Sequence, residues 1–179
     1  PKHYIRYART FCEENDCAYF LNQYGSQDNV LAHYHHTGPE IWQQTSGQID
    51  CLVACASSGG TISGIAQYLK QMNSQVNIVL VDPIGSVYHH YFHTGEVDKN
   101  KIMPYEIEGA GKNKILPTMD FSVIDHVVQV SDAEAFAGCR ELSQDLGVVV
   151  GGSSGAAFAA IKKVISDYNY KFIVAMFPD

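Results

Sequence analysis

Apolar and polar positions alternate between two periods along the chain. Tyr4, Ile5, Ala8, Phe11 and Cys12 recur at helical spacing and predict a helix over Lys2–Glu14. Tyr19–Leu21 reads as a short strand. Residues 29–45 are helical in part, interrupted by Gly38-Pro39, with Pro39 suited to the first turn of a second helix over Glu40–Gln44. A strand (Cys51–Cys55), a helix (Thr61–Met72) and a strand (Asn77–Val81) follow. Such a β-α-β unit carries parallel strands and a right-handed crossover. Residues 83–122 show little periodicity and hold Gly85, Gly95, Pro104, Gly109, Gly111 and Pro117. A stretch that long without regular elements points to function. Val127–Val130 is the next strand, and Ser131-Asp132 with Glu134 opens a helix that runs to Leu146. An apolar run then enters Gly151-Gly152-Ser153-Ser154-Gly155, followed by a helix over Ala156–Ile165 and a strand over Phe172–Met176. The alternation predicts an α/β fold of three layers. Its sheet is mostly parallel, with helices on both faces and two glycine-rich loops at one edge.

The first of those loops is the most informative stretch. An apolar run, Leu52–Ala56, leads straight into Ser57-Ser58-Gly59-Gly60-Thr61, and Ile62, Ile65, Ala66 and Leu69 continue at helical spacing. Backbone N–H groups at a helix start lack intrahelical partners and carry the positive end of the helix dipole. They suit a phosphate group. The loop is not an ATP-type P-loop, because no lysine follows Gly59-Gly60-Thr61. It also lacks the Gly-x-Gly-x-x-Gly dinucleotide fingerprint. Taken alone, it is equally compatible with a glycine turn capped by a hydroxyl.

Composition narrows the classes. At 179 residues the chain suits one domain, or one domain and part of another, with a sizeable core. A net charge of -7 argues against a nucleic-acid surface. No apolar run approaches a membrane span, and no signal-peptide pattern opens the chain. Five cysteines without a C-x-x-C pair read as reduced core thiols, so a cytoplasmic setting is expected. His33, His35 and His36, and His89, His90 and His93, lack a suitably spaced acidic or thiol partner. They read as exposed or hydrogen-bonded histidines, and no metal is expected.

Seven stretches, in order and spanning nearly the whole chain, carry a resemblance. They are Leu21-Asn22-Gln23-Tyr24; His36-Thr37-Gly38-Pro39-Glu40-Ile41-Trp42; Ser57-Ser58-Gly59-Gly60-Thr61; Val81-Asp82-Pro83-Ile84-Gly85-Ser86; Glu108-Gly109-Ala110-Gly111 with Pro117; Gly151–Gly155; and Phe177-Pro178-Asp179. Together they resemble the pyridoxal-phosphate enzymes of the cysteine synthase and cystathionine β-synthase family, fold type II. The match is to the C-terminal part of the catalytic core, over residues 1–179.

The resemblance implies pyridoxal 5'-phosphate as cofactor. Ser57, Ser58, Gly59, Gly60 and Thr61 would hold its phosphate, and Ser153 its pyridine nitrogen. Gln23 would help bind the substrate carboxylate, and Gly109 and Gly111 would sit in a loop that closes on substrate. A serine hydroxyl cannot keep a proton on the pyridine nitrogen as a carboxylate can, so the ring stays nearly neutral. That suits β-elimination and β-replacement on serine-like substrates. The implied partners are a small amino acid and a thiol, in a homodimer, with no nucleic acid and no membrane.

Three departures matter. Ser57 stands where the family usually has glycine, and Lys112-Asn113-Lys114 where the animal-type enzymes carry an aromatic residue. The family's Schiff-base lysine and its Thr-Ser-Gly-Asn loop have no counterpart here, because they would lie upstream. The expectation is therefore a piece of a longer core that by itself binds cofactor weakly and catalyses nothing.

Cystathionine formation from serine and homocysteine is the expected reaction. Cysteine synthesis from O-acetylserine and sulfide is the alternative, favoured by Gly38-Pro39-Glu40 with Trp42, and a siderophore-type aminoacyl synthase is more distant. The Tyr88–Glu96 insert and the Asp120–Asp125 run favour bacterial cystathionine synthases. A non-catalytic phosphate-ligand module is the reading from a different class.

Overall fold

The computed structural model describes residues 3–179, with Asp167 as backbone only. Helix α1 (Tyr4–Glu14) leads, and the predicted Lys2 start lies outside the described residues. Helix α2 (Asp28–Ala32) runs through a π-helical segment (His33–Thr37) into α3 (Gly38–Gln44). Then come β1 (Cys51–Cys55), α4 (Gly60–Met72), β2 (Asn77–Pro83) and α5 (Tyr88–Thr94). Short 3-10 turns at Lys99–Lys101 and Phe121–Val123 precede β3 (His126–Val130), α6 (Asp132–Leu146), α7 (Gly152–Asp167) and β4 (Ile173–Ala175).

Among the described residues the four strands are all parallel, in the order β3-β2-β1-β4. Cys51 faces Asn77 on one side and Ile173 on the other, and Val79 pairs with His126. The central strands are buried on both faces, as a covered parallel sheet requires. Leu52, Ala54, Ile78 and Leu80 pack against Ile41 of α3 and Ile62, Ile65 and Leu69 of α4. Cys51, Val53, Val79 and Val81 pack against Ala135 of α6 and Ala156, Ala160 and Val164 of α7. The three-layer α/β architecture expected from the sequence is the architecture found.

Helix α6 has the predicted bounds because both ends are signalled locally. Ser131 and Glu134 form a reciprocal capping box, and Gly147 closes the helix at φ 67°. Helices α6 and α7 cross where neither carries bulk. A Cβ on Gly138 would lie 2.4 Å from the Gly155 carbonyl oxygen. Among the described residues, no helix is long and apolar enough to cross a membrane.

Three expectations differ from the structure. Tyr19–Leu21 forms no strand. Tyr19 and Leu21 are 81% and 78% exposed, and no described strand pairs with them. A strand pattern without a neighbour has no ladder to join. Residues 28–44 are not broken at Gly38-Pro39. Pro39 has no N–H to give, and the chain answers with a π turn in which the Gly38 N–H reaches the His33 carbonyl. Residues 83–122 are not without regular structure, since they contain α5. Its His89 N–H is capped at 2.8 Å by the Asp82 carboxylate at the end of β2.

Candidate functional site

The strand order switches sides at β1: β2 lies on one side of it and β4, the last strand, on the other. In open α/β sheets ligands bind outside the carboxyl ends of strands at such a switch point. A cavity of about 310 Å³ opens there. It is walled by Cys55–Gly59 after β1, by Thr61 of α4, by Ser153 of α7 and by Met176 and Pro178 after β4. Gln23 and Gly109 complete its rim. Seven of the nine predicted site residues therefore line one cavity: Gln23, Ser57, Ser58, Gly59, Thr61, Gly109 and Ser153.

Gly60 and Gly111 are not on its wall. A Cβ on Gly60 would sit 2.3 Å from the Asn29 side chain, so this glycine makes room for Asn29. Gly111, at φ 67°, donates its N–H to the Ala56 carbonyl at 2.7 Å. That bond anchors the 109–112 loop to the end of β1.

The loop after β1 is held from behind. The buried Tyr88 hydroxyl donates to the Ser57 carbonyl at 2.7 Å, and the buried Thr118 hydroxyl donates to the Ser58 carbonyl. In a trans peptide the N–H points opposite to the preceding C=O. With both carbonyls turned into the core, the Ser58 and Gly59 amides turn toward the cavity. Gly59 closes the loop at φ 89°, and a Cβ there would lie 2.7 Å from the Met119 Cα. Asn29 braces the other edge, donating to the Gln23 carbonyl at 2.8 Å and to Ser58 Oγ at 3.2 Å. Tyr88, Thr118 and Asn29 left no local signal in the sequence, since each acts across long chain separations.

The opposite wall is the start of α7. Ser153 is buried, and among the described residues its hydroxyl has one long contact, 3.4 Å to Asp179 Oδ1. Ser154 holds the same oxygen more closely. Gly109, at φ 75°, faces this hydroxyl: a Cβ there would come within 3.8 Å of Ser153 Oγ. The Cys55 thiol donates to the Ser153 carbonyl at 3.2 Å. Burial, with Asp82 and Asp179 nearby, pushes that thiol up to about 12, so it is a packing group rather than a nucleophile. No lysine lines the cavity among the described residues. Nor do any three His, Cys, Asp or Glu side chains there converge as metal ligands.

These residues match one chemical class. A helix start with outward amides and hydroxyls at Ser58 and Thr61 suits a phosphate. Gly59 and Gly109 line the cavity between that loop and Ser153. The model of the family described as "Pyridoxal-phosphate dependent enzyme" matches residues 1–179.

The chain belongs to the pyridoxal-phosphate dependent enzyme family. It is 38% identical over 180 residues to a cystathionine β-synthase of Apis mellifera, covering 100% of this chain and 35% of that protein. It is 37% identical over 188 residues to the Saccharomyces cerevisiae cystathionine β-synthase, covering 100% of this chain and 36% of the relative. A cysteine synthase of Buchnera aphidicola is 36% identical over 179 residues, with 97% of this chain and 56% of that protein covered. The chain thus spans about a third of the length of the two cystathionine β-synthases it matches.

Proposed function

We propose that the cavity holds pyridoxal phosphate and that the protein carries out β-replacement on serine or an activated serine. The preferred reaction joins serine and homocysteine into cystathionine. The observation that carries the reading is the outward-turned loop Ser57–Thr61 facing the Ser153 hydroxyl across one cavity. When bound, the cofactor supplies an electron sink for charge developing at the substrate Cα.

The residues take separate parts. The Ser58 and Gly59 amides and the Thr61 hydroxyl bind the phosphate at the positive end of α4. Ser153 donates a hydrogen bond to the ring nitrogen. A neutral hydroxyl gives no net charge to that nitrogen, which moderates the pull on Cα and suits loss and replacement of a β-substituent. Gln23, on the rim, offers its amide to the substrate carboxylate. Gly109 lets the loop backbone come close to the substrate without a side chain between. This reading assigns no catalytic lysine to these 179 residues.

Cysteine synthesis from O-acetylserine and sulfide is the second reading, supported by the comparable identity to the Buchnera protein. The deciding experiment uses the full-length protein with added pyridoxal phosphate. Visible absorption is followed on adding serine or O-acetylserine, and products are identified by mass spectrometry after adding homocysteine or sulfide. Cystathionine from serine supports the first reading, and cysteine from O-acetylserine the second. An unchanged spectrum with no product overturns both and leaves a phosphate-ligand module.

A further inference from the structure

His33 stands just behind the cavity wall and is bonded through both ring nitrogens. Its Nε2 lies 3.0 Å from Thr61 Oγ1, and its Nδ1 lies 2.9 Å from Thr37 Oγ1. Thr61 lines the cavity, while Thr37 ends the π-helical segment that His33 begins.

The contact depends on unusual backbone features. A Cβ on Gly64 of α4 would lie 2.2 Å from the Val30 carbonyl oxygen and 2.8 Å from the His33 Cβ. Only a residue without a side chain lets α4 approach the π segment so closely. Gly38 does the same on the other side, where a Cβ would meet the Tyr68 Cβ at 2.7 Å. Single π turns are frequent at functional sites.

A neutral imidazole has one N–H and one lone pair. Two arrangements satisfy both bonds. In the first, Nε2–H donates to Thr61, Nδ1 accepts from Thr37, and the Thr61 hydroxyl proton is free to point into the cavity. In the second, Thr61 donates to Nε2 and offers the cavity only lone pairs, which repel an anion. Burial lowers the His33 pKa, which keeps the ring neutral at pH 7 and makes the tautomer the deciding variable.

We propose that His33 is a positioning residue of the phosphate site: as the Nε2–H tautomer it donates to Thr61 Oγ1 and so directs the Thr61 hydroxyl proton at the phosphate. The inference rests on the phosphate reading of the Ser57–Thr61 loop. Binding of the anion selects this tautomer, and by reciprocity the tautomer strengthens binding of the anion.

The test is nitrogen NMR of the full-length protein carrying 15N-histidine, with inorganic phosphate and with pyridoxal phosphate. The expected result is a His33 Nε2 that carries the proton in the loaded protein. His33→Leu is expected to weaken both probes about tenfold, the loss of one hydrogen bond to an anion. His33→Gln, whose amide donates from similar reach, is expected to recover most of that loss and serves if the Leu variant misfolds. Pyridoxal, which lacks the phosphate, should bind all three proteins alike. If the phosphates bind but the proton sits on Nδ1, or the Gln and Leu variants bind as the wild type does, the positioning role is overturned and the phosphate reading stands. If neither phosphate probe binds the wild type, both are overturned.

Discussion

The Tyr88 hydroxyl is 2.7 Å from the Ser57 carbonyl oxygen and donates to it from inside the core. Desolvation raises the Tyr88 pKa, so the group stays a donor at any physiological pH. Removing it leaves a buried carbonyl without its partner. Tyr88→Phe is expected to cost ~1–3 kcal/mol of stability. It should also weaken pyridoxal phosphate binding, because the Ser58 amide is no longer held toward the cavity. Denaturant unfolding and a cofactor titration on the full-length protein check the pair. A Phe variant that loses stability but keeps full affinity would mean that this bond only supports the fold.

Gly59 is where a single methyl group does most harm. Its φ of 89° costs a side-chain-bearing residue ~1–2 kcal/mol, and the Met119 Cα stands 2.7 Å from the new atom. Gly59→Ala is expected to cut pyridoxal phosphate affinity by about tenfold or more. Gly95, at φ 75° with nothing within 4 Å of an added Cβ, is the control. Gly95→Ala should cost backbone strain alone and leave affinity unchanged.

Asp82 gives the fold an acid signature. Burial raises its pKa from 3.8 to about 6 against the opposing pull of the Ser86 side chain and the His89 amide, and among the described residues its Oδ1 has no hydrogen-bond partner. Between about pH 4 and 6 the folded state holds a proton that the unfolded state releases. The contribution of Asp82 to stability is therefore fully present below pH 4 and is lost as the pH rises through 6. Asp82→Asn removes this dependence. Stability of the wild type minus that of the variant should fall by on the order of 2 kcal/mol across the window, read by urea unfolding at several pH values. A flat difference would show that Asp82 titrates normally.

Glu134 gives the opposite sign. Lys163 at 2.7 Å and the Ser131 backbone N–H hold its carboxyl well down, to about 2. Its stabilisation is present above the ordinary carboxylate range and is lost as the pH falls through 2. The ion pair is exposed and contributes little, so the cap dominates. Glu134→Ala should cost ~1 kcal/mol at neutral pH. Because the cap is a short local bond, most of that cost should persist in 1 M salt.

Much of the scaffold was legible because its signals are local. Cys51–Cys55 is an apolar run, and Ser131, Glu134 and Gly147 mark both ends of α6 within a few residues. The two glycine-rich loops were readable as a pair, and the structure sets Ser57, Thr61 and Ser153 around one cavity. What stayed hidden depends on distant chain. Helix α5 is capped by Asp82, a residue read only within the Val81–Ser86 stretch. Tyr19–Leu21 has a strand pattern, yet a strand exists only with a neighbour. Tyr88, Thr118, Asn29 and His33 shape the site through contacts that no spacing rule reports.

The central claim is that the phosphate of pyridoxal phosphate sits in the Ser57–Thr61 loop. Phosphorus NMR of the loaded full-length protein tests it most directly, with Gly59→Ala beside the wild type. The account predicts a wild-type phosphorus resonance that is displaced from free cofactor and does not titrate near pH 6, as expected of a dianion fixed by the α4 amides. In the variant, the resonance should return toward that of free cofactor. A wild-type resonance that titrates as it does in free solution, or one that Gly59→Ala leaves unmoved, would contradict it.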